Sequence, residues 1–182
     1  EGNGFMMGVL AANPEATVEF AYVGSYEDPA KAKEIASAMI SQGCDVLQTD
    51  SGASNAGVVE ASKDAGILCA GEITDYYDAY EGFYGIEGIG FGDTAYKAIE
   101  MLINDNFEGG THGIRDLTNG GYFMDWDSFN RFADANEEYS EVMKAAIADA
   151  QSLEEQIKDG SLEIPFDTEV PSWDRIKTTY GK

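Results

Sequence analysis

An α/β fold with a mainly parallel sheet, arranged as a three-layer sandwich, is what this sequence predicts, and three observations carry it. Short apolar runs at Thr17–Val23, Cys44–Thr49 and Ile67–Gly71 have the length and bounding turns of strands. Amphipathic helical spacing follows the first two, with Ala32, Ile35, Ala36, Met39 and Ile40 recurring after Pro29, and a second helix over Ala56–Ala65. Strand, turn and helix repeated in this order imply parallel strands joined by right-handed crossovers, which brings the three turns to one edge of the sheet.

The chain is organised around the first of these turns. A strand stops at Val23, the backbone turns through Gly24, Ser25 and Tyr26, and a helix begins at Asp28-Pro29. Asp28 suits the N-cap because its carboxylate can accept the free N–H groups of the first turn, and Pro29 suits the first helical position, which needs no donor. Ahead of it, Gly4–Asn13 reads as a short apolar helix closed by Asn13-Pro14. Beyond it, Gly43 and Gly66 stop the next two helices. The second turn is Asp50–Asn55 and the third is Glu72–Asp75.

After Asp75 the pattern loosens. Tyr76–Tyr84 reads as a polar, aromatic loop, and Gly85–Gly92 as a short strand and turn. These glycines match a dinucleotide fingerprint poorly, because strand, glycine loop and helix do not follow in the required order. Asp93 is expected to cap a helix reaching Ile103, Ile114–Met124 reads as a hairpin or crossing segment around Asn119-Gly120, and a long helix is expected from about Asn136 to Lys158. The tail from Leu162 onward is expected to lie over the surface.

Composition narrows the function. The chain has 182 residues, enough to bury a core as one domain or one large lobe, and its 11 Lys and Arg against 34 Asp and Glu give a net charge of -23. A nucleic-acid partner would be repelled at long range. None of the three turns holds Lys or Arg, so a neutral small ligand fits them better than an anion. Cys44 and Cys69 sit in apolar contexts and read as core residues, and a lone His112 offers no triad or His-rich metal site. No cofactor or metal is expected. Glu72, Asp75 and Asp78 could serve as acids in an enzyme, but carboxylates in so acidic a loop read as solvated, and no catalysis is expected.

Several motifs in order carry a resemblance: Asn13-Pro14, Val23 to Lys33, Gly43 to Val46, Ser51-Gly52 with Gly57 to Ser62, Gly71 with Asp75, Asn119 to Tyr122, and Ile157 to Pro165. Together they resemble the basic membrane protein (BMP) family of solute-binding lipoproteins. The resemblance implies one lobe, the C-terminal one, of a two-lobed periplasmic-binding-protein type I fold that delivers nucleosides to an ABC permease. It implies attachment to the outer face of the membrane by a lipid on a preceding segment, with residues 83–121 packing partly on the other lobe. A fragment with that surface uncovered could form a homodimer.

The resemblance also implies roles for residues. Tyr26 would stack on a base, with Gly24 and Ser25 beside it. Gly52 and Ser51 would bring backbone close to the ligand, and Asp75, with Glu72 nearby, would take ribose hydroxyls. Stacking on an aromatic contributes ~1–3 kcal/mol, and a carboxylate holding two hydroxyls fixes orientation. Two positions depart from the family pattern: Ile73 stands where an acid is frequent and Gly90 where a lysine is. The rival reading is a sensory or regulatory binding module of the same fold, with no transport role.

Overall fold

A computed structural model describes residues 1–110 and 115–181. Its elements in chain order are α1 (Gly2–Ala12), α2 (Pro29–Ser41), β1 (Val46–Thr49), α3 (Asn55–Ala65), β2 (Leu68–Glu72), β3 (Phe83–Ile89), α4 (Phe91–Ile103), β4 (Tyr122–Met124), α5 (Trp126–Ala135), α6 (Glu137–Asp159) and α7 (Trp173–Tyr180). The sheet runs β1-β2-β3-β4, with the first three strands parallel and β4 antiparallel to β3. The α/β class expected from sequence is therefore the one observed.

The helix starts follow the local chemistry. Asp28 caps α2 by accepting the Lys31 N–H at 2.9 Å, with Pro29 at the first helical position. Gly66 and Gly160 take left-handed conformations where α3 and α6 stop. Asp93, expected to cap this helix, sits instead inside the first turn of α4, three positions past the Gly90 N-cap, where its carboxylate pairs with Lys97 and Arg115.

The main core lies where α2 and α3 cover β1, β2 and β3, through Ala32, Ala36, Leu47, Val58, Val59, Ala61, Cys69, Phe83 and Ile86. Phe83 and Ile86 are three residues apart, an odd spacing that ordinarily sends side chains to opposite faces. They share one face because Cys69 pairs with Phe83 and Gly71 with Ile86, leaving an extra residue in β3. Gly85 absorbs it with φ of 68°, and the Phe129 ring packs so close that a Cβ there would lie 2.2 Å from it. Tyr84 points the other way, onto Phe129 and Phe132 of α5. Helices thus cover both faces, which is the three-layer arrangement.

Three expectations need correcting. Thr17–Val23 is extended but joins no sheet among the described residues. Its alternating apolar residues are used one by one instead: Val18 packs with α1 and α7, and Val23 on the main core. Without a neighbouring ladder an apolar run does not become a strand. The loop expected up to Tyr84 ends two residues early, and the short strand expected within Gly85–Gly92 is the larger part of β3, a seven-residue inner strand. The C-terminal segment holds α7, whose Ile176 is fully buried against Met6 and Leu10 of α1. The hairpin or crossing segment expected at Ile114–Met124 lies partly outside the described residues, as does His112; its described end forms β4.

Candidate functional site

The site forms at the carboxyl ends of β1 and β2, where ligands bind in open parallel sheets. After β1 the chain passes Asp50 and Ser51 into a short 3-10 turn at Gly52–Ser54 and then α3. After β2 it passes through Ile73, a β-branched residue held at φ of 59°, with its N–H bonded to the Glu87 carbonyl at 2.8 Å. A β-branched residue in this region is a genuine outlier, and such strain collects at functional sites. Between the two turns lies a cavity of about 400 Å³ lined by Gly52, Ala53, Asn55, Glu72, Ile73, Thr74 and Tyr76. That volume falls in the range of small-ligand pockets, ~300–1,000 Å³.

The first turn reaches this cavity by way of the second. Ser54 is fully buried, and its hydroxyl donates to the Ser25 carbonyl at 2.9 Å while accepting the Asp28 N–H at 2.8 Å. The Ser54 N–H adds a bond to the Tyr26 carbonyl at 3.2 Å. Gly52 has φ of 59° and lies under Tyr26; a Cβ at Gly52 would stand 3.2 Å from the Tyr26 ring. Any side chain there would need an unfavourable backbone and would press on the aromatic. Tyr26 itself is 73% exposed, so its ring face is open to solvent.

Ser54→Ala removes both hydroxyl bonds and leaves the Asp28 N–H without that acceptor. We expect a loss of about 1–3 kcal/mol, with hydrogen exchange rising at the amides of Tyr26 to Asp28 before the rest of the lobe. Unchanged protection at those amides would show that Ser54 does not hold the first turn.

Asn55 organises the second turn. Its Oδ1 accepts from the Thr49 hydroxyl at 2.7 Å, the Ser51 N–H at 2.7 Å and the Ser51 hydroxyl at 2.8 Å. Glu72, 8% exposed, faces the same cavity from β2. The carboxylates of Glu1, Asp50 and Glu72 come within 4.8 Å of one another, a spacing that could also hold a cation. Burial raises the Asp50 carboxyl above its usual range, and the neighbouring Glu72 raises it further. Glu87, beneath them on β3, is raised first by burial and then by the charges of Glu1 and Asp50. This end of the sheet is strongly electronegative.

Of the residues singled out from sequence, Gly52 and Glu72 line the cavity, and Ser51 supports it through Asn55. Gly24, Ser25 and Tyr26 are not among its lining residues; Ser25 and Tyr26 are joined to it through Ser54 and Gly52, while Gly24 makes no contact that places it there. Asp75 turns away: its carboxylate pairs with Arg131 of α5 and accepts the Tyr77 N–H at 2.9 Å, while the Arg131 guanidinium lies 4.6 Å over the Tyr77 ring. Sequence reasoning missed Asn55 and Ser54. Their signal was present as small polar residues at the strand-to-helix turn, but reading the run as plain turn chemistry hid which side chains fold inward.

The fold and the position of this site define a class. Over 98% of its length the chain superimposes on 58% of an ABC transporter solute-binding protein from Aeropyrum pernix, with a TM-score of 0.71 and 19% identity. More particularly, the family profile described as ABC transporter substrate-binding protein, PnrA-like (Bmp), matches residues 1–165, and the chain belongs to this family. It is 36% identical over 85 residues to a Haloferax volcanii protein assigned to an ABC transporter as its glucose-binding component, covering 47% of this chain and 20% of that protein. It is also 36% identical over 75 residues to a purine-binding protein of Brucella abortus, covering 40% of this chain and 20% of that one. The chain thus aligns with about a fifth of the length of these two relatives.

Proposed function

We propose that this chain is the C-terminal lobe of an extracellular solute-binding protein that takes a neutral polar ligand, a nucleoside, between two lobes and presents it to an ABC permease. The observation that carries the reading is the cavity at the ends of β1 and β2, with Asn55 and Glu72 in its wall and the open ring of Tyr26 beside Gly52. An aromatic face, glycine-turn backbone and polar groups on the inner wall suit a base joined to a sugar. The purine-binding relative supports a base; the glucose-binding relative supports a sugar. A nucleoside contains both.

A second lobe is supported by α4. This helix buries none of its residues and leaves Tyr96, Ile99, Leu102 and Ile103 more than half exposed. Such a stripe is expected to be covered by the remainder of a longer chain, or by a second copy in the fragment. Closure of two lobes over ligand would then give the permease a distinct closed form to recognise. Anchoring by a lipid on a preceding segment would hold the protein at the outer membrane face.

The test is a thermal-shift and calorimetric panel of adenosine, inosine, guanosine, glucose and glutamate on the full-length gene product. A nucleoside is expected to raise the melting midpoint and bind at micromolar or lower concentration, with the 182-residue chain binding far more weakly. Stabilisation by glucose alone would replace the nucleoside assignment, and no response to any member would remove the solute-binding reading.

A further inference from the structure

We propose that Asn55 and Glu72 form a donor and acceptor pair that selects an uncharged ligand by an edge carrying a hydrogen-bond acceptor beside a hydrogen-bond donor, with Asn55 as the specificity-determining residue. The inference rests on the cavity being the ligand site and names the chemistry that site reads.

Three donors converge on Asn55 Oδ1, and one is the backbone N–H of Ser51, which can only donate. The opposite orientation of the amide would set its NH₂ against that N–H, so the network fixes the oxygen on the Thr49 and Ser51 side. The NH₂ group is left over. Among the described residues Asn55 Nδ2 donates no hydrogen bond, although the residue is only 2% exposed and borders the cavity. The NH₂ of this otherwise buried side chain is not among the buried polar atoms left without a partner, so it opens to the cavity, where an occupant carrying an acceptor would take the place of water.

Glu72 poses the complementary demand. It is more than nine-tenths buried, and its close carboxylate neighbours are the acids Asp50 and Glu1. Among the described residues no lysine or arginine forms an ion pair with it. Glu72 presents an acceptor beside Asp50, with which it shares a carboxyl–carboxyl hydrogen bond, so N–H or O–H donors on an occupant suit it and an anionic occupant would add negative charge to an already acidic wall. A ligand edge with donor and acceptor side by side answers both residues at once. Inosine offers N1–H beside O6; adenosine offers N1 beside its 6-amino group, the same pair in the reverse order.

The experiment titrates adenosine and inosine calorimetrically into the full-length protein, its Asn55→Asp variant and the double variant Asn55→Asp with Glu72→Gln. Asp at position 55 keeps an oxygen for Thr49 and Ser51, turns the donor into an acceptor and adds a negative charge, which Glu72→Gln in the double variant offsets. Binding of the preferred nucleoside is expected to weaken at least about tenfold in the single variant. The double variant reverses donor and acceptor and is expected to invert the order of the two nucleosides. Glu72→Gln alone acts on the opposite wall and is expected to weaken the preferred nucleoside by a similar factor, which keeps the test intact should Asn55→Asp not fold. A nucleoside bound equally well by wild type, Asn55→Asp and Glu72→Gln overturns the pair while leaving the nucleoside reading in place. No nucleoside binding to the wild type overturns the nucleoside reading and this inference together.

Discussion

Gly57→Ala is expected to destabilise the lobe by about 3 kcal/mol, seen as a fall in melting midpoint of roughly 6–12 °C for a chain of this size. Gly57 lies in α3 where it crosses α2, and a Cβ there would meet the Pro29 carbonyl oxygen at 1.9 Å, its carbon at 2.8 Å and the Lys33 nitrogen at 2.9 Å. All three are backbone atoms, so no rotamer change relieves the clash. The backbone at Pro29 is also poorly placed to retreat. The preceding Asp28 caps α2, and its own N–H is held by Ser54. Moving α2 away would open the core at Ala32 and Ala36 and pull the Ser25–Tyr26 turn from Ser54. Damage to ligand binding should therefore accompany the lost stability. Gly8→Ala in α1 is the control, since a Cβ there meets nothing within 4 Å and gains helix propensity. A Gly57→Ala midpoint within a degree or two of wild type would show that α2 and α3 can separate freely, and the account of their crossing would fail.

The same small residues explain what the sequence made legible. Around α2, β1, α3 and β2, local preference and tertiary structure agree: the Asp28-Pro29 start, the Gly66 stop and the apolar spacing each point to the element that forms. Where the reading failed, a long-range partner decided the outcome. The glycines at 85 and 88 suggested only a short strand running into a turn, yet they are glycine because the rings of Phe129 and Phe123 press on the strand from distant parts of the chain. Thr17–Val23 has strand composition but, among the described residues, no ladder beside it. α5 was not read at all, although Asp125 caps it by accepting the Asp127 and Ser128 N–H groups.

At the site the division is similar. The location was legible, because strand-to-helix turns after parallel strands fall at one edge whatever their side chains do. Inward and outward orientation was not. Asp75 and Asn55 lie in comparable turns, but Arg131, fifty-six positions along the chain from Asp75, draws one carboxylate away. The other residue is turned inward by its local partners Thr49 and Ser51. Ion pairs between distant elements leave no periodic trace in sequence. Asx-type contacts within a turn do leave one, and Asn55 was within reach of it.

Acid is expected to release α7 locally, before the parallel-sheet core gives way. Helix α7 lies past the residues that the family profile matches, and it packs on α1 through a small separate cluster of Met6, Leu10 and Ile176. Polar contacts at one carboxylate complete the attachment. Asp167 accepts from Arg175 at 2.6 and 3.2 Å, from Tyr180 at 2.9 Å and from Asn3 at 3.1 Å, joining α7, α1 and the segment between α6 and α7. The Arg175 guanidinium holds the Asp167 carboxyl down to about 2 from its ordinary 3.8. A depressed folded value means that the unfolded state takes up the proton first. The contribution is therefore complete above the ordinary value and drains away as pH falls through about 2. Among the described residues Arg175 Nε and Trp173 Nε1 are buried donors without partners, so the cluster has no spare acceptor to take over the bonds that Asp167 gives up.

With Trp126→Phe as background, Trp173 reports α7 alone. Its emission should shift between about pH 4 and pH 2, while exchange protection in α3 and β2 persists. Asp167→Asn should remove that transition and loosen α7 at neutral pH. A Trp173 signal that changes only together with protection in β2 would mean that α7 and the main core unfold as one unit.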